Sequence, residues 1–177
     1  MISVTGAGRI LRGAWLGFLV LTAACGQQEG KTMKASTTYL YLLRKTPFFT
    51  GLDTEQLRWT IDHSREWEAQ AGTVVADCSA ADKRDDFWIL LDGRWQVEHD
   101  GHTYPAGHAD AGKWFSAAEA SGSCRLVTTE HSYVMKITRA DMNDMLSRGF
   151  RFESHMREGR AYYRTVFATV PAQNETP

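Results

Sequence analysis

The fold of this chain is decided by residues 87–101, which read Phe-Trp-Ile-Leu-Leu-Asp-Gly-Arg-Trp-Gln-Val-Glu-His-Asp-Gly. The first five residues are a continuous apolar, β-prone run, and apolar and polar side chains then alternate from Arg94 to Glu98. Alternation with a period of two is typical of a strand with one buried face. Asp92-Gly93 and Asp100-Gly101 each supply the positive backbone torsion that a tight hairpin needs. The stretch therefore predicts antiparallel strands joined by two hairpin turns.

Further β-prone segments lie on both sides of this stretch. Residues 73–78 read as a strand, and residues 79–86 read as a polar loop. Residues 126–129 and 133–137 are predicted to form a final strand pair. Short strands at this spacing, with turn residues between them, favour an antiparallel sandwich or roll.

Helical periodicity appears before and after the strands. Helices are predicted over residues 39–45 and 54–64, and the second begins with Asp53 and Gln56 at the spacing of a capping box. Beyond the strands, Met142, Met145 and Leu146 share one face of a short helix. A longer helix follows, and its apolar stripe is predicted to pack against the roll. The stripe consists of Phe152, Met156, Tyr163, Phe167 and Val170. The expected fold class is mainly β, an antiparallel β-roll (jelly roll) with N-terminal and C-terminal helices.

The N-terminal segment has the order of a secretory signal. Two arginines precede an apolar core at residues 13–24, which is too short for a transmembrane helix. The core ends in Leu21-Thr22-Ala23-Ala24-Cys25, which resembles the lipobox of bacterial lipoproteins. This resemblance implies that the Cys25 thiol carries a lipid such as palmitate and that cleavage occurs just before it. The alternative is an ordinary cleaved signal with an incidental cysteine.

These observations predict the domain organisation of the chain and its location in the cell. Residues 1–24 are expected to be the signal peptide, 25–38 the lipidated N-terminus and flexible tether, 39–170 the β-roll domain and 171–177 a disordered tail. Gly26 stands where an aspartate retains well-studied lipoproteins in the inner membrane. The expected location is therefore the cell envelope, with the lipid in the outer membrane and the domain facing the periplasm.

Composition limits the partners and the chemistry. A net charge of −1 and a pI near 6.6 provide no basic field for nucleic acid. Cys78 and Cys124 remain after Cys25 and are predicted to form a disulfide, because disulfides persist in an oxidising compartment. Two separately buried thiols are the alternative. Neither cysteine lies in a Cys-x-x-Cys motif, so a redox centre or a zinc site has no support.

The order of the elements resembles the cyclic nucleotide-binding domain, the β-roll of bacterial cyclic-AMP receptors and kinase regulatory subunits. Residues 43–52 look like that family's first helix and its proline-aromatic-glycine-leucine turn. Ala71-Gly72 matches the strand-opening turn, and residues 87–93 match an aromatic-rich strand that ends at a glycine. Residues 137–142 look like the last strand passing into the closing helices. The resemblance covers residues 39–167.

The ligand-binding cassette of that family is altered here. The family reads Phe-Gly-Glu, a short helix, then Arg-Ser/Thr-Ala. The resemblance implies a glutamate on the ribose, an arginine on the cyclic phosphate and helix amides that cradle the anion. In this chain Ala117 stands at the glutamate position counted from Phe115, and Gly122 stands at the arginine position counted back from Ile137.

Two charged residues near these positions are candidates for displaced substitutes. The resulting vestigial ligand site consists of Phe115, Ser116, Glu119 and Arg125. Losing both family contacts would lower affinity several hundredfold or more, because one charged hydrogen bond contributes about 1.5–3 kcal/mol. We therefore predict that cyclic nucleotide is not bound and that Glu119 and Arg125 are solvated loop charges.

Histidines cluster near the second Asp-Gly turn. His99, His102 and His108 lie there with Asp100 and Asp110, an arrangement that a cupin-like metal site would use. The cupin order of His-x-His, a glutamate and a later histidine is absent, and polar residues at such a turn usually face water. We predict no metal ligand, no cofactor and no catalytic residue, since no catalytic motif occurs.

The predicted function is a membrane-anchored envelope lipoprotein whose degenerate cyclic nucleotide-binding-like domain is a non-enzymatic binding or protein-interaction module. Its expected partners are the membrane, through the N-terminal lipid, and another envelope protein. Two alternatives stay open. One is a small-ligand or cyclic nucleotide sensor with a modified anion pocket, and the other is a cupin-like metalloenzyme.

Overall fold

The chain folds into two four-stranded antiparallel sheets that pack against each other. Helices pack on the other face of one of these sheets. The computed structural model describes residues 37–78, 85–120 and 122–168. The helices are α1 (Thr37–Lys45), α2 (Thr54–Asp62), α3 (Arg139–Ser147) and α4 (Glu153–Ala168), with 3-10 turns at Pro47–Phe49 and Ala117–Glu119. The predicted fold class, a mainly β antiparallel roll with flanking helices, is confirmed.

Two sheets form the roll. The strands are β1 (Arg65–Ala69), β2 (Val74–Asp77), β3 (Phe87–Asp92), β4 (Arg94–His99), β5 (His102–Gly107), β6 (Trp114–Phe115), β7 (Cys124–Thr128) and β8 (Ser132–Ile137). The central sheet has the order β1-β8-β3-β6, and the outer sheet has the order β2-β7-β4-β5. Consecutive strands therefore often lie in different sheets.

This topology corrects two predictions of strand pairing. Asp92-Gly93 does not close a hairpin, because β3 belongs to the central sheet and β4 to the outer sheet. Gly93, at φ 91°, instead turns the chain from one sheet to the other. Likewise β7 and β8 are not paired with each other, since β7 pairs with β2 and β4 while β8 pairs with β1 and β3. Local turn chemistry marks where a strand ends but not which strand it joins.

The second Asp-Gly pair behaves as predicted. Asp100 at φ 48° and Gly101 at φ 77° both have positive backbone torsions. They form the two-residue turn of a true hairpin, in which both central residues need such torsions. This turn pairs His99 with His102 and joins β4 to β5.

Several elements match their predicted positions, and two strands were not predicted. The Asp53 carboxylate accepts from the Gln56 amide at 2.8 Å, and the Gln56 side chain accepts from the Asp53 amide at 3.2 Å. This reciprocal pair is a complete capping box at the start of α2. The missed strands are β1 and β6, whereas β5 was implied by the predicted hairpin without bounds of its own. Three of the five residues of β1 are charged and β6 has only two residues, so neither shows a clear strand pattern.

Strand β3 is buried on both faces. Phe87, Ile89 and Leu91 pack under the helices, whereas Trp88 and Leu90 face the outer sheet. This double burial explains the continuous apolar run of the sequence, because a strand with one solvated face would alternate. The central sheet is thus the middle layer of a three-layer molecule.

Cys78 and Cys124 are joined in a disulfide, which confirms the predicted pairing. Their Cα atoms lie 5.0 Å apart, next to a backbone hydrogen bond of 2.9 Å from the Cys78 amide to the Cys124 carbonyl. The bond ties the edge strand β2 to β7. The two cysteines are 46 positions apart in the sequence. Closing a loop of this size stabilises the fold by roughly 4 kcal/mol in the chain-entropy view.

Some predicted segments lie outside the described residues. They are residues 1–36, which include the signal, Cys25 and most of the predicted tether, the loop at 79–84, and residues 169–177 with Val170 and the predicted tail. Among the described helices, none combines the length and apolar character needed to cross a membrane.

A buried carboxyl group lies between α1 and β1. Glu66 is 7% exposed, and the Tyr39 hydroxyl of α1 interacts with its carboxyl group. Burial raises the pKa of the Glu66 carboxyl, since removal from water disfavours the charged form more than the Tyr39 contact favours it. The native state therefore holds the Glu66 proton more tightly than the unfolded chain does.

We predict that Glu66→Gln stabilises the protein at neutral pH. A carboxyl whose native pKa is raised contributes stability below its unfolded pKa and loses that contribution as pH rises through the native pKa. Glutamine mimics the protonated form, so the variant should unfold a few degrees higher at about pH 7 and match the wild type near pH 4. Thermal melts across this pH range measure the difference. Glu68→Gln, at an exposed site on the same strand, is the control, and an equal effect of both variants would contradict the prediction.

Candidate functional site

The segment that resembles a ligand-binding cassette runs from β6 through the 3-10 turn to β7. Phe115 and Ser116 are fully buried, and Ala117 is nearly so. The turn at Ala117–Glu119 has only three residues. It closes with hydrogen bonds from the Glu119 amide to the Ser116 carbonyl and from the Ala120 amide to the Ala117 carbonyl. The cassette that this segment resembles has a short helix at this point. Here the segment forms a single tight turn, and Ser116 and Ala117 at its start are buried.

Arg125 points away from the interior of the roll. On β7, Cys124 and Leu126 are buried in the core between the sheets, so the alternating residue Arg125 faces solvent. Its guanidinium donates to Glu98 Oε2 through Nη2 at 2.6 Å and through Nε at 3.1 Å. Glu98 is its directly opposite partner on β4. Arg125 is therefore the exposed half of a cross-strand ion pair.

Glu119 is paired on a different surface. Its carboxylate accepts from Arg160 Nε of α4 at 3.3 Å. The structure thus brings Phe115, Ser116 and Glu119 close together in the cassette, but it places Arg125 on the outer face with Glu98. The two candidate substitutes for the family's charged pair do not converge on one site, and each is engaged within the chain.

Aromatic side chains fill the space between the sheets beside the cassette. Trp95, Phe115 and Tyr163 are each at most 1% exposed. The Phe115 and Tyr163 rings meet edge to face with centroids 5.5 Å apart. Trp95 Nε1 donates to the Gly112 carbonyl at 2.9 Å, so its buried polar atom is satisfied. These residues occupy the part of the roll that adjoins the cassette.

Tyr163 of α4 bonds directly to the cassette backbone. Its hydroxyl donates to the Trp114 carbonyl at 2.7 Å, with the Gly112 carbonyl at 3.3 Å. Burial raises the pKa of the Tyr163 hydroxyl well above its ordinary value, which keeps the hydroxyl a donor. A side chain from the C-terminal helix therefore packs into the core of the roll and holds the backbone where β6 leads into the cassette.

Three further contacts dock α4 on the same segment. Trp114 Nε1 donates to the His155 carbonyl at 2.8 Å. Lys113, buried at 4% exposure, places its ammonium 3.4 Å from Glu158. Gly159 lies so close to the Trp114 indole that a Cβ atom there would overlap it. The close approach requires glycine in the middle of a helix, although glycine costs a helix about 1 kcal/mol relative to alanine.

The histidines near the second Asp-Gly turn contact different groups, although two of them lie next to the same residue, Asp100. His99 is buried, its ring is tilted against Phe167 with centroids 4.6 Å apart, and it lies 3.6 Å from the Asp100 carboxylate. The His102 ring contacts the Asp100 carbonyl at 3.0 Å, and His108 lies 3.6 Å from Asp92. Across residues 37–78, 85–120 and 122–168, no group of three or more His, Cys, Asp or Glu side chains is placed to hold a metal ion.

An open cleft of about 480 Å³ lies at the end of the outer sheet. It is bounded by the β4–β5 turn, the start of β7 and the end of β2. Its lining is polar and of mixed charge, and includes Asp77, Glu98, His102, Thr103, Ser123 and Arg125. The Glu98–Arg125 pair thus belongs to the rim of a surface cleft and not to the interior of the roll.

Comparisons with known proteins rest on structure alone. No family model and no curated protein matches the chain. A cAMP-bound structure of PfPKA-R matches with a TM-score of 0.57 and 15% identity, covering 74% of this chain and 45% of the other. The chain thus spans about half the length of that protein.

Two other solved structures match over nearly their whole length. One is PKAR CBD2 bound to Sp-2Cl-cAMPS, with a TM-score of 0.54 and 14% identity over 76% of this chain and 92% of that one. The other is the sensor domain of the transcriptional regulator DNR from Pseudomonas aeruginosa, with a TM-score of 0.52 and 12% identity over 78% and 99%. These likenesses show a cyclic nucleotide-binding-like fold.

The sequence did not reveal which residues close the roll. The apolar stripe of α4 predicted packing, but it did not distinguish Tyr163, which reaches the cassette, from its neighbours. A usable signal was Gly159, because a glycine inside an amphipathic helix often marks close packing. The pairing of Arg160 with Glu119 had no sequence signal, since 41 positions separate the two residues.

We predict that Gly159→Ala destabilises the protein despite the better helix propensity of alanine. The added methyl overlaps the Trp114 indole. Overpacking of this kind costs about 1–3 kcal/mol, and urea unfolding measures the loss. Gly51→Ala is the matched control, because its Cβ would meet Arg151 at an ordinary 3.6 Å. Equal stability of Gly159→Ala and the wild type would show that α4 does not pack on Trp114.

Proposed function

We propose that this chain is a lipid-anchored, non-enzymatic interaction module of the bacterial envelope whose β-roll works without cyclic nucleotide. The single observation that carries this proposal is the packing of α4 on the cassette, with Tyr163 hydrogen-bonded to the cassette backbone. The Tyr163 ring fills the space beside the cassette, and its hydroxyl donates to the Trp114 carbonyl at 2.7 Å. The chain's own side chains therefore pack this part of the core, and no bound nucleotide is needed to fill it.

The charged residues support the same conclusion. A cyclic phosphate would need a cation inside the roll, yet Arg125 lies outside and is bound to Glu98. Glu119 is held by Arg160, so a ribose hydroxyl would have to displace an ion pair. Breaking an exposed ion pair costs only about 0.2–1 kcal/mol, so the position of Arg125 outside the roll, and not its pairing with Glu98, is the larger obstacle to nucleotide binding.

The lipid anchor is supported by the N-terminal sequence. The residues Leu21-Thr22-Ala23-Ala24 precede Cys25 after an apolar core, and a polar stretch follows. A lipid tether raises the effective concentration of the domain toward proteins on the same membrane, so weak contacts become sufficient. This reasoning favours a protein partner in the envelope.

A sensor of cyclic nucleotide or of another small anion is the second candidate. The observation in its favour is that two structural relatives, PfPKA-R and PKAR CBD2, carry cAMP or an analogue. Arg125 on the rim of the surface cleft provides a cation that an anion could reach. No observation favours a cupin-like metalloenzyme, because the described residues contain no group of three or more His, Cys, Asp or Glu side chains placed to hold a metal ion.

We predict no change in melting temperature with millimolar cyclic AMP or cyclic GMP. A ligand at a hundred times its dissociation constant would stabilise the fold by about 2.7 kcal/mol, a shift that a thermal melt detects readily. Arg125→Ala is the paired variant. A clear shift that this variant abolishes would make Arg125 a relocated phosphate ligand and would replace the proposed module with a sensor.

We predict that Cys25→Ser abolishes acylation. Serine lacks the thiol that accepts the lipid, so incorporation of radiolabelled palmitate and membrane fractionation should both be lost. Cys78→Ser, which removes a disulfide partner but leaves the N-terminus intact, is the control and should still label. Continued labelling of the Cys25→Ser protein would refute the anchor.

A further inference from the structure

Helix α1 presents an unusual surface. Tyr39 and Leu43 are fully buried on its inner side, whereas Tyr41 is 57% exposed, the largest exposure of any large apolar side chain among the described residues. The Lys45 ammonium lies 4.3 Å from the centre of the Tyr41 ring, one helical turn away. The last turn is basic, with Arg44 and Lys45, and α1 contains no acidic residue. An exposed aromatic ring with one ammonium group beside it is thus held out toward the surroundings, next to Arg44, whose guanidinium donates to Thr54 Oγ1 of α2 at 2.7 Å.

This surface lies within reach of the proposed lipid. Only residues 26–36, eleven in number, separate Cys25 from the start of α1 at Thr37. Eleven residues span at most about 40 Å even when fully extended. Of the described elements, α1 is therefore the one that follows the proposed anchor most closely along the chain.

We infer that the exposed face of α1, formed by Tyr41, Arg44 and Lys45, lies against the surface of the bilayer that carries the lipid. The inference rests on the proposed lipidation of Cys25. Tyrosine favours the membrane–water interface, where its ring meets apolar groups and its hydroxyl meets water. Lysine and arginine near the surface are attracted to anionic headgroups, and the attraction fades within a Debye length.

The layers of the fold then determine what faces away from the membrane. The helices cover one face of the central sheet, and the outer sheet covers the other. The solvent face of the outer sheet, with the Glu98–Arg125 pair and Thr103, is therefore on the side opposite α1. This arrangement presents the surface cleft to the aqueous compartment and to partners within it.

The test compares two labelled sites on the lipidated mature protein. Tyr41→Cys and Thr103→Cys each introduce one reactive thiol, because Cys25 is acylated and Cys78 and Cys124 are oxidised. Each thiol carries the same environment-sensitive fluorophore on vesicles of phosphatidylethanolamine and phosphatidylglycerol that contain a lipid-borne quencher. We expect several-fold stronger quenching at position 41 than at position 103. An insertion driven by the fluorophore alone would quench both sites equally.

Charge reversal supplies the second measurement. In the Tyr41→Cys background, Lys45→Glu should lower the equilibrium constant for surface contact about tenfold or more, since it changes the local charge by two. Arg94→Glu, on the outer sheet, is the matched control and should leave the quenching unchanged. Vesicles of pure phosphatidylcholine should weaken the contact in the same way.

The outcomes separate this inference from the proposed anchor. Equal quenching at positions 41 and 103, on vesicles that carry the protein in a flotation gradient, overturns the orientation and leaves the anchor standing. Failure of the wild-type protein to float with vesicles or to incorporate palmitate refutes the anchor and the orientation with it. Stronger quenching at position 41 that Lys45→Glu reduces supports both.

Discussion

The structure depends on a central sheet that is buried on both faces. Strand β3 sends Phe87, Ile89 and Leu91 to the helices and Trp88 and Leu90 to the outer sheet. A sheet with two apolar faces is stable only when both are covered, so the helical layer and the outer sheet are both obligatory. The buried Glu66 beneath Tyr39 lies at the edge of this arrangement, where α1 covers β1. Loss of either covering layer would expose a continuous apolar surface.

The C-terminal helix links the two cores. Its N-terminal half contributes Met156 to the core under the helices, and its C-terminal half contributes Tyr163 to the core between the sheets. The contacts with Trp114 and Lys113 fix it on the cassette segment. A helix held at both cores by buried hydrogen bonds cannot leave without exposing polar groups and aromatic rings together. This physical coupling is the reason that the proposed function needs no nucleotide to hold the roll closed.

The same layering gives the domain two different sides. One side carries α1 close to the proposed anchor, and the other carries the mixed-charge cleft and the Glu98–Arg125 pair of the outer sheet. The exposed ion pair contributes little to stability, about 0.2–1 kcal/mol for pairs of this kind. Its charges are therefore available for contacts with a partner at small cost to the fold. In the proposed membrane-anchored orientation, a protein partner would meet the outer sheet first.

Sequence patterns determined the class of fold and the position of most elements, whereas tertiary structure decided the pairing and the site. The apolar run of β3, the capping box of α2, the Asp100-Gly101 hairpin and the stripe of α4 are local signals, and each corresponds to an element of the structure. The Asp92-Gly93 turn was predicted as a hairpin because a turn reports local backbone torsion and not the identity of the paired strand. For the same reason the sequence could not show that β4 lies beside β7, the pairing that turns Arg125 outward onto Glu98. The fit of Tyr163 and Gly159 against Trp114 joins residues about 45 to 50 positions apart, and only the packed fold brings such side chains within contact distance.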